Sequence, residues 1–483
     1  MMPDWLPPAA LVPLAPLLGA IVLMMVRDAR AGAIIAIIAS GAGLAFACRL
    51  PWLMGSGLFV LVDPLSAHVA ILTAFVGFTT AIYSYRYILV ELASGRIKAS
   101  RVRQYHALFM SFLGFMLMAL LSNNLGVTWV AVEAATISAV LVVSLPRSAN
   151  AVEASWKFFL LCGVGIALAL FGTVVLYLAA FPALGSGYAA MTWTELARAA
   201  PNCRGPMLNL AFVFMLVGYG TKAGLAPLHG WMPDAHAEGP TPVSAVLSGS
   251  VLNVALVVIL RLRGVMQANA DSIDPGPPLM ALGLLTVLFA AFSLWGRRDV
   301  KRFFAFSTIE QSGLAAFAIG LGGVAGTFAA LLHITVHTLA KSALFQCVGR
   351  AAQRKGAQSF QAIGGLIVSD RALGLTLATA IIAVAGLPPF GLFSSEVLII
   401  SETMRLHPYL VPLLGIGLIV GGWQLIARLI SLCLGEPSDS PGPRVSWVSM
   451  IPAWVHLAIV LGLGIAMPVS IAAWLAAAAS VAK

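Results

Sequence analysis

Charged residues are scarce in this 483-residue sequence: Asp, Glu, Lys and Arg together make up 10% of it. A soluble protein carries about 25% charged residues, so a soluble globular fold is excluded. Hydrophobic residues make up 60% of the chain, and the mean hydropathy is +0.96. Apolar runs of roughly 20 residues recur, each long enough to cross a bilayer. The short polar–apolar alternation of a membrane β-barrel is missing. The sequence therefore predicts an all-α polytopic membrane protein.

Cysteine is also scarce and occurs in no metal-binding pattern. The five cysteines, Cys48, Cys162, Cys203, Cys347 and Cys433, are scattered singly, without iron–sulfur spacing or a Cys/His set. Haem and nucleotide motifs are missing as well, which disfavours a self-contained redox enzyme. We therefore expect the chain to carry no cofactor and no metal of its own.

The hydropathy pattern predicts about fourteen membrane-spanning helices, numbered in chain order. The amino terminus lacks the basic region and cleavage site of a removable signal peptide, so we expect the first helix to be retained. The predicted spans lie near residues 8–26, 32–50, 62–83, 107–122, 125–144, 156–179, 207–228, 243–262, 279–296, 303–320, 325–348, 372–400, 408–434 and 448–478.

The net charge of +10 is distributed unevenly between the connecting loops. The loops rich in Lys and Arg are 27–31, 84–106, 145–152, 297–302 and 349–371. These loops alternate with poorer ones, so the positive-inside rule places them in the cytoplasm and both termini on the external side. The basic excess thus reflects topology in a bacterial cytoplasmic membrane and does not indicate binding to nucleic acid.

The stretch 219–249, YGTKAGLAPLHGWMPDAHAEGPTPVSAVLSG, lies between two long apolar runs. Lys222 ends the first run, and Pro227, His229 and His236 follow it. An ionisable group within a membrane span is costly and is therefore a functional candidate. The proline and glycines beside it predict that helix 7 is broken, which is tolerated only where protein or a water-filled cavity surrounds the gap. Ion-translocating membrane proteins use such discontinuous helices.

Helices 5 and 6 each contain a further ionisable residue. Glu133 on helix 5 is surrounded by apolar or small residues, and a carboxylate in that setting must be protonated or paired with a cation. We interpret Glu133 as a proton-handling group, with structural pairing to a neighbouring helix as the alternative. Lys157, near the start of helix 6, either belongs to the same set or extends its amine to the membrane surface.

Helices 8 and 10 add polar residues of less certain role. Helix 8 has no charge in its interior, but Ser248 and Asn253 give it a polar stripe. Such residues either hold water within a bundle or hydrogen-bond a neighbouring helix. Glu310 lies about two turns inside helix 10 and is a further candidate.

Helix 11 contains three ionisable residues on one face. His333, His337 and Lys341 are spaced i, i+4, i+8, so they follow one another over about 12 Å. Three such groups within one span are difficult to explain structurally, and we predict a functional role for them. Two histidines four residues apart also suit a metal ion, but the sequence offers no evident third ligand nearby.

Helix 12 repeats the pattern of helix 7. Its motif AGLPPFGLF (385–393) matches AGLAPLHGW (223–231), and Glu396 follows inside the apolar run. Helices 4–8 and 9–13 therefore look like two copies of a five-helix unit, and the odd number of helices gives the copies opposite orientations. The predicted divisions are peripheral helices 1–3 with a basic loop (1–106), the first repeat (107–262), the second repeat (263–434), and a C-terminal loop with helix 14 (435–483).

These features predict a path for protons across the membrane. Each five-helix unit can open a hydrated path to one face, and the buried ionisable groups would connect the two paths. A lysine removed from water tends to lose its charge, so it can accept a proton and pass it on. The predicted row consists of Glu133, Lys222, His333, His337, Lys341 and Glu396.

The same motifs resemble those of the antiporter-like subunits of respiratory complex I, membrane-bound hydrogenases and multisubunit Na⁺/H⁺ antiporters. The resemblance covers roughly helices 4–13. It rests on TKAGLAPLHGWMPDAHAEGPTPVSA (221–245), DVKRFFAFSTIEQSG (299–313), HITVHTLAKSALF (333–345) and GLPPFGLFSSE (386–396). It implies that Glu133 and Lys222 are the input pair, Lys341 the helix-11 lysine and Glu396 the terminal residue.

This sequence departs from the family pattern at helix 8. Family members place a lysine or histidine there, whereas this chain has Ser248 and Asn253. The central step is therefore expected to rely on water and on the helix-11 residues. The glutamate in STIEQ and the Leu-Asn pair on helix 8 resemble the hydrogenase-4 component F branch of the family.

The resemblance implies partners that supply the redox chemistry. These are other membrane subunits of a hydrogenase or complex I-like assembly, and peripheral subunits carrying Fe–S clusters. The chain would then be a proton-translocating part of an oxidoreductase complex in the lipid bilayer. Two alternatives are a subunit of a multisubunit Na⁺/H⁺ antiporter without redox chemistry and a non-conducting scaffold.

Overall fold

The computed structural model describes residues 7–436 and 446–481, most of which form helices. The helices up to residue 267 are α1 (Leu11–Met25), α2 (Ala29–Ala47), α3 (Pro64–Ala93), α4 (Ala99–Leu121), α5 (Leu125–Val143), α6 (Ala149–Leu184), α7 (Trp193–Ala199), α8 (Gly205–Lys222), α9 (Trp231–Glu238), α10 (Thr241–Val246) and α11 (Leu252–Gln267). The later helices are α12 (Gly276–Ser293), α13 (Val300–Leu321), α14 (Gly323–Lys355), α15 (Leu366–Ser369), α16 (Arg371–Val384), α17 (Gly391–Leu406), α18 (Val411–Leu429), α19 (Ile451–Ile465) and α20 (Val469–Ser480). The short strands β1 (Gly55–Ser56) and β2 (Leu61–Val62) pair antiparallel.

Twelve helical segments of the described chain are long and apolar enough to cross a membrane, and the protein is a multi-pass membrane protein. Two predicted spans are missing from this set, and they are the two predicted to be broken. The seventh consists of α8 and α9, and the twelfth consists of α16 and α17. The eighth is continuous, because a π-helical segment (Leu247–Val251) joins α10 to α11. With the two interrupted spans, the described chain accounts for the fourteen predicted helices.

The two breaks have the same local conformation. Gly224 and Gly386 occupy matching positions in the AGLAP and AGLPP motifs, and both have positive φ angles, +73° and +66°. Residues with a Cβ rarely adopt this conformation, so glycine is required where the chain leaves the helix. The prolines that follow cannot donate the next helical hydrogen bond. The structural match supports the five-helix repeat predicted from sequence.

The basic segment 84–106 is not a loop, contrary to prediction. Helix α3 continues to Ala93 and α4 begins at Ala99, which leaves a connection of residues 94–98. Thirty residues of helix span about 45 Å, so α3 extends beyond the ~30 Å hydrocarbon core into the polar headgroup region. Helix α3 is also largely buried, packing on α2 and α4 and, on its inner side, on α10 and α14, whereas α1 and α2 leave much of their surface exposed.

The last predicted span, 448–478, is also divided. Helix α19 ends at Ile465, and Pro468 is the residue before α20. Proline lacks the donor for a helical hydrogen bond and disfavours helical geometry in the preceding residue. The sequence interpretation overlooked this proline within the apolar run. Part of the preceding predicted loop, residues 437–445, lies outside the described residues.

The connections between helices form two opposite faces. On one face, Asn123 donates its backbone N–H to Phe59 and accepts one from Trp193, which ties three connections together. On the other, a cavity of about 370 Å³ is lined by residues from the connections 94–98, 144–148 and 356–365, among them Arg96 and Gln358. Arg298 accepts a backbone bond from Phe360 at this second face. Four of the five basic segments predicted to lie together, 84–106, 145–152, 297–302 and 349–371, therefore meet at one face, called the basic face below.

Candidate functional site

Glu133 and Lys222 form a buried ion pair at the first helix break. Lys222 is the last residue of α8, and its Nζ lies 3.2 Å from Glu133 Oε2 on α5. The same Nζ donates a hydrogen bond of 2.7 Å to Thr136 Oγ1, one turn further along α5. The lysine side chain is 1% exposed and the glutamate 19%. A buried charge is tolerated only with such partners, so α5 and the end of α8 are mutually dependent.

Hydrogen bonds from neighbouring residues fix the broken end of α8. Trp231 Nε1 donates to the Thr221 carbonyl at 2.8 Å, and Ser312 Oγ donates to the Ala223 carbonyl at 2.6 Å. The last carbonyls of a helix have no partner within the helix, so these donors replace the missing turn. The indole of Trp231 also stacks on Phe158 of α6, at 4.4 Å between ring centroids. Lys222 is thereby held on a rigid helix end.

Lys341 on α14 occupies a different environment from Lys222. It is fully buried, and its Nζ donates a hydrogen bond of 3.1 Å to the backbone carbonyl of Phe304 on α13. Within the described residues, no carboxylate lies within 4 Å of this amine. Glu310, also on α13, interacts with it electrostatically from further away. An ammonium with one neutral acceptor is poorly compensated, so this lysine is well suited to exchanging a proton.

The two histidines of α14 continue the row from Lys341. The rings of His333 and His337 are stacked at 5.9 Å with an interplanar angle of 3°. His333 Nδ1 lies 3.0 Å from Ser395 Oγ on α17. The Nε2 atoms of both rings are buried without a hydrogen-bond partner among the described residues. Buried polar atoms are almost always paired, and water is the usual partner where protein offers none. The prediction that His333, His337 and Lys341 share one face of helix 11, which is α14 in the structure, is confirmed, and all three side chains are buried.

Two glutamates lie at the far end of this row. Glu310 is 1% exposed, and a side chain at Gly421 of α18 would collide with its carboxylate. Glu396 of α17 is half-buried, lies against Gly386 at the second break, and interacts electrostatically with the side chain of Gln311. The two carboxyl groups interact electrostatically. The structure thus brings the predicted residues of α13, α14 and α17, the predicted helices 10, 11 and 12, into one cluster.

His236 of α9 lies on the Lys341 side of the site. Its ring stacks on Phe345 of α14 at 4.9 Å, and it interacts electrostatically with both Lys341 and Lys301. It is fully buried, and both ring nitrogens lack a partner among the described residues. His229, by contrast, packs against the ring of Phe289 at 4.6 Å, away from this row. The two histidines of the 219–249 stretch therefore differ in position.

The predicted helix 8, which in the structure consists of α10, the π-helical segment and α11, forms hydrogen bonds within the protein. Asn253 Nδ2 donates to Thr338 Oγ1 at 2.8 Å, which ties α11 to the helix that carries Lys341. Ser248 Oγ donates to the Ala245 carbonyl of its own helix at 3.3 Å. For Asn253, the structure agrees with the interpretation that the polar stripe hydrogen-bonds a neighbouring helix. Ser250 Oγ, in the π segment, has no partner among the described residues.

Lys157 lies outside the buried row. Its side chain is 48% exposed and forms ion pairs with Glu153 at 2.7 Å and Asp234 at 3.1 Å. Arg302 pairs with the same Asp234 at 3.2 Å and with Glu238 at 3.3 Å. This cluster connects α6, α9 and α13 at the surface of the protein. Lys157 therefore takes the surface position that was its alternative interpretation.

Sequence reasoning missed several residues of the site. Thr136 stands three residues after Glu133, so helical spacing alone places both on one side of α5. Lys301 is 2% exposed, donates to the Gly239 carbonyl at 2.9 Å, and lines the cavity of the basic face. No sequence signal identified Gln311 or Ser395, because their roles depend on contacts between distant helices.

The described residues contain no group of three His, Cys, Asp or Glu side chains arranged to hold a metal ion. His333 and His337 thus have no third protein ligand beside them in this part of the chain. The side chains of the row are all proton donors or acceptors. Several of their polar atoms, including Nε2 of both helix-11 histidines, have no hydrogen-bond partner among the described residues. The arrangement can exchange protons if water bridges these groups.

Comparison with known proteins places this site within a matched region. A family model described as NADH:quinone oxidoreductase/Mrp antiporter, TM, matches residues 122–420, which include every residue of the row. A hydrogenase-4 component F homolog of Methylacidiphilum infernorum is 46% identical over 418 residues, covering 86% of this chain and 87% of that protein. NADH-quinone oxidoreductase subunit N of Desulforudis audaxviator is 27% identical over 361 residues, covering 73% and 67%. A solved chain of an archaeal membrane-bound sulfane sulfur reductase has the same fold, with a TM-score of 0.86 at 21% identity over 98% of this chain and 97% of that one.

Proposed function

Because the chain belongs to the NADH:quinone oxidoreductase/Mrp antiporter transmembrane family, we propose that it is the proton-translocating membrane subunit of a redox-driven complex of the hydrogenase-4 type. The observation that carries the proposal is the contrast between Lys222 and Lys341, the two lysines of the row. Lys222 shares its amine between a carboxylate and a hydroxyl, whereas Lys341 has one carbonyl acceptor. The charge of Lys222 is thus balanced by a carboxylate while the ion pair is closed, whereas the charged form of Lys341 has only a neutral acceptor.

The proposed path runs from the first break to the second. Glu133 holds the proton on Lys222, and loosening of that pair drives the proton toward His236 and then Lys341. His337 and His333 connect Lys341 to the half-buried Glu396. Water bridges the steps where no protein acceptor lies within reach. The chain itself performs no redox chemistry in this scheme, since the driving event is an electrostatic change near Glu133.

The proposed setting is a bacterial cytoplasmic membrane, with the basic face in the cytoplasm and both termini on the external side. The proposed partners are other membrane subunits of a hydrogenase or complex I-like assembly and peripheral subunits that carry Fe–S clusters. The name of the Methylacidiphilum infernorum relative supports the hydrogenase-4 type. Residues 107–262 and 263–434 would act as the two half-channel units.

The proposal is tested by replacing Lys222 with methionine in the complex purified with its native partners. The reconstituted complex should lose proton uptake, measured with a pH-sensitive dye in sealed vesicles, while the subunits remain assembled. Lys157→Met is the matched control, since it removes a lysine of the same region that lies outside the row. Undiminished proton uptake in Lys222→Met would remove this residue from the path. Na⁺-dependent proton exchange without a redox substrate would instead favour an antiporter.

A further inference from the structure

Two adjoining cavities open on the surface between α1, α4, α5 and α6, at the basic face. The first, about 400 Å³, is lined by Arg101 and Arg103 of α4, by Arg147 in the α5–α6 connection, and by Met24 of α1. The second, about 340 Å³, has an almost entirely apolar wall. Its lining includes Ile137, Leu141, Val152, Trp156 and Phe159. Both cavities include Leu141, Ser144 and Arg147, so they form one groove, called the α4–α6 groove below.

The three arginines of the groove lack acidic partners. Arg101 donates to the side-chain oxygen of Gln104 at 3.1 Å. Among the described residues, none of the three lies within 4 Å of a carboxylate. Arg101 and Arg103 are also partly buried. Elsewhere in the described chain, six arginines do pair with carboxylates: Arg96, Arg198, Arg261, Arg302, Arg354 and Arg405. The groove is therefore a concentration of uncompensated positive charge, which favours an anionic ligand.

The backbone at Arg147 supports a specific role for this position. Its φ is +57°, in the left-handed region, and it is the one non-glycine residue of the described chain with positive φ. This conformation is unfavourable for a residue with a Cβ and is found most often at functional positions. Arg147 lies where the two cavities join, so its guanidinium is available to both.

The apolar half of the groove follows the length of a membrane-spanning helix. Ile137 lies on α5 and Ser144 caps its C-terminal end seven residues later, which corresponds to about 10 Å along the helix. Ile137, Trp156 and Phe159 are all exposed on the lateral surface of the protein. The groove thus presents positive charge at the depth of lipid headgroups and an apolar surface beneath it.

We propose that the α4–α6 groove binds an anionic phospholipid, with its phosphate between Arg101, Arg103 and Arg147 and an acyl chain along Ile137 and Phe159. Arginine binds phosphate oxygens through paired N–H groups, and basic pockets between membrane helices recognise anionic headgroups. An acidic segment of a soluble protein would satisfy the arginines but not the lateral apolar wall. This inference does not depend on the proposed proton path.

The proposal is tested by measuring phospholipid retained by the complex purified with its native partners in mild detergent. Native mass spectrometry and lipid extraction, after incubation with phosphatidylglycerol, cardiolipin or phosphatidylcholine, should show retention of the two anionic lipids. Arg147→Gln should lower anionic-lipid affinity about fivefold, and the double variant Arg101→Gln/Arg103→Gln should lower it further, as each basic residue near a headgroup contributes about a factor of five. Arg371→Gln is the matched control, since Arg371 is an exposed arginine of the basic face outside the groove.

A second variant tests the apolar half without changing charge. Val152→Trp places a large ring in the second cavity, and it should reduce retention of anionic lipid while the three arginines remain. The proposal is overturned if Arg147→Gln and Arg371→Gln retain lipid equally, or if phosphatidylcholine is retained as well as the anionic lipids. Displacement of all retained lipid by inorganic phosphate would show a free-anion site instead. Cross-linking of Trp156 to a partner subunit in a lipid-free complex would show a protein interface and would also overturn it.

Discussion

Glu133 and Lys222 form one ion pair but are buried to different extents. The glutamate side chain keeps 19% of its surface exposed, while the lysine keeps 1% and is also bonded to Thr136. An electrostatic change outside the chain can therefore act on the carboxylate without opening the core around the amine. If the carboxylate turns away, Lys222 is left with one hydroxyl acceptor, and its charged form is no longer compensated. This asymmetry makes the pair suitable as the receiving element of a coupled pump.

The first prediction concerns Glu133→Gln. The substitution keeps the shape of the side chain but removes the charge that compensates Lys222. We expect proton pumping by the reconstituted complex to be abolished. If Lys222 stays charged, the free energy of unfolding should fall by about 3–5 kcal/mol, the typical cost of breaking a buried pair. Proton uptake in vesicles and thermal unfolding of the purified complex measure the two effects.

The double variant Glu133→Gln/Lys222→Met separates stability from function. It removes both charges, so we expect most of the lost stability to return. Pumping should stay absent, because the amine that carries the proton is gone. Recovery of pumping together with stability would mean that the pair is structural.

The second prediction compares the two histidines of the 219–249 stretch. His236→Phe keeps a ring that can stack on Phe345 but removes both nitrogens, which are buried without a partner among the described residues. We expect assembly to be preserved and proton pumping to fall about a hundredfold or more, the lower end of the range for losing one proton-transfer group. His229→Phe should pump normally, since that ring packs on Phe289. Equal activities of the two variants would contradict the placement of His236 in the path.

The third prediction uses two adjacent glycines of α18. A methyl group at Gly421 would collide with the carboxylate of Glu310, whereas one at Gly422 comes no closer than 3.7 Å to the Ala385 carbonyl. Gly421→Ala should displace Glu310 and weaken its interaction with Lys341, lowering the pumping rate. Gly422→Ala should leave the rate unchanged. Proton-pumping rates of the two variants are compared at matched expression. An unchanged rate in Gly421→Ala would show that the position of Glu310 is unimportant for pumping.

The sequence was sufficient to predict most of the helices and the two breaks beside Lys222 and Glu396. Helix composition, and the combination of glycine with proline near Lys222 and near Glu396, are local signals, and the structure confirms that these two spans are interrupted. The i, i+4, i+8 spacing from His333 to Lys341 likewise requires no tertiary information, and all three side chains are buried together. Helix periodicity fixes the relative positions of residues within one helix.

Contacts between residues on different helices were harder to predict from the sequence. The sequence could not show that His236 and His229, seven residues apart, lie in different surroundings, because the difference arises from α14 and α12 packing against them. It could not separate Lys157 from the buried row, because its ion pair with Asp234 crosses from α6 to α9. Pro468 was a local signal, but the surrounding apolar run concealed its effect on the last span.

The fourth prediction is that Lys341→Met stabilises the protein while abolishing its function. Lys341 is fully buried with a single carbonyl acceptor, and no carboxylate of the described chain lies within 4 Å of its amine. Methionine has a similar length and no charge to desolvate, so the free energy of unfolding should rise by about 1 kcal/mol or more. Pumping should be lost, because the proton has no acceptor between His236 and His337. Thermal unfolding and proton uptake, with Lys157→Met as the control for loss of a lysine, test both parts. A destabilised variant that still pumps would mean that Lys341 is retained for packing, whereas a gain in stability with loss of pumping is expected of a residue retained for proton transfer.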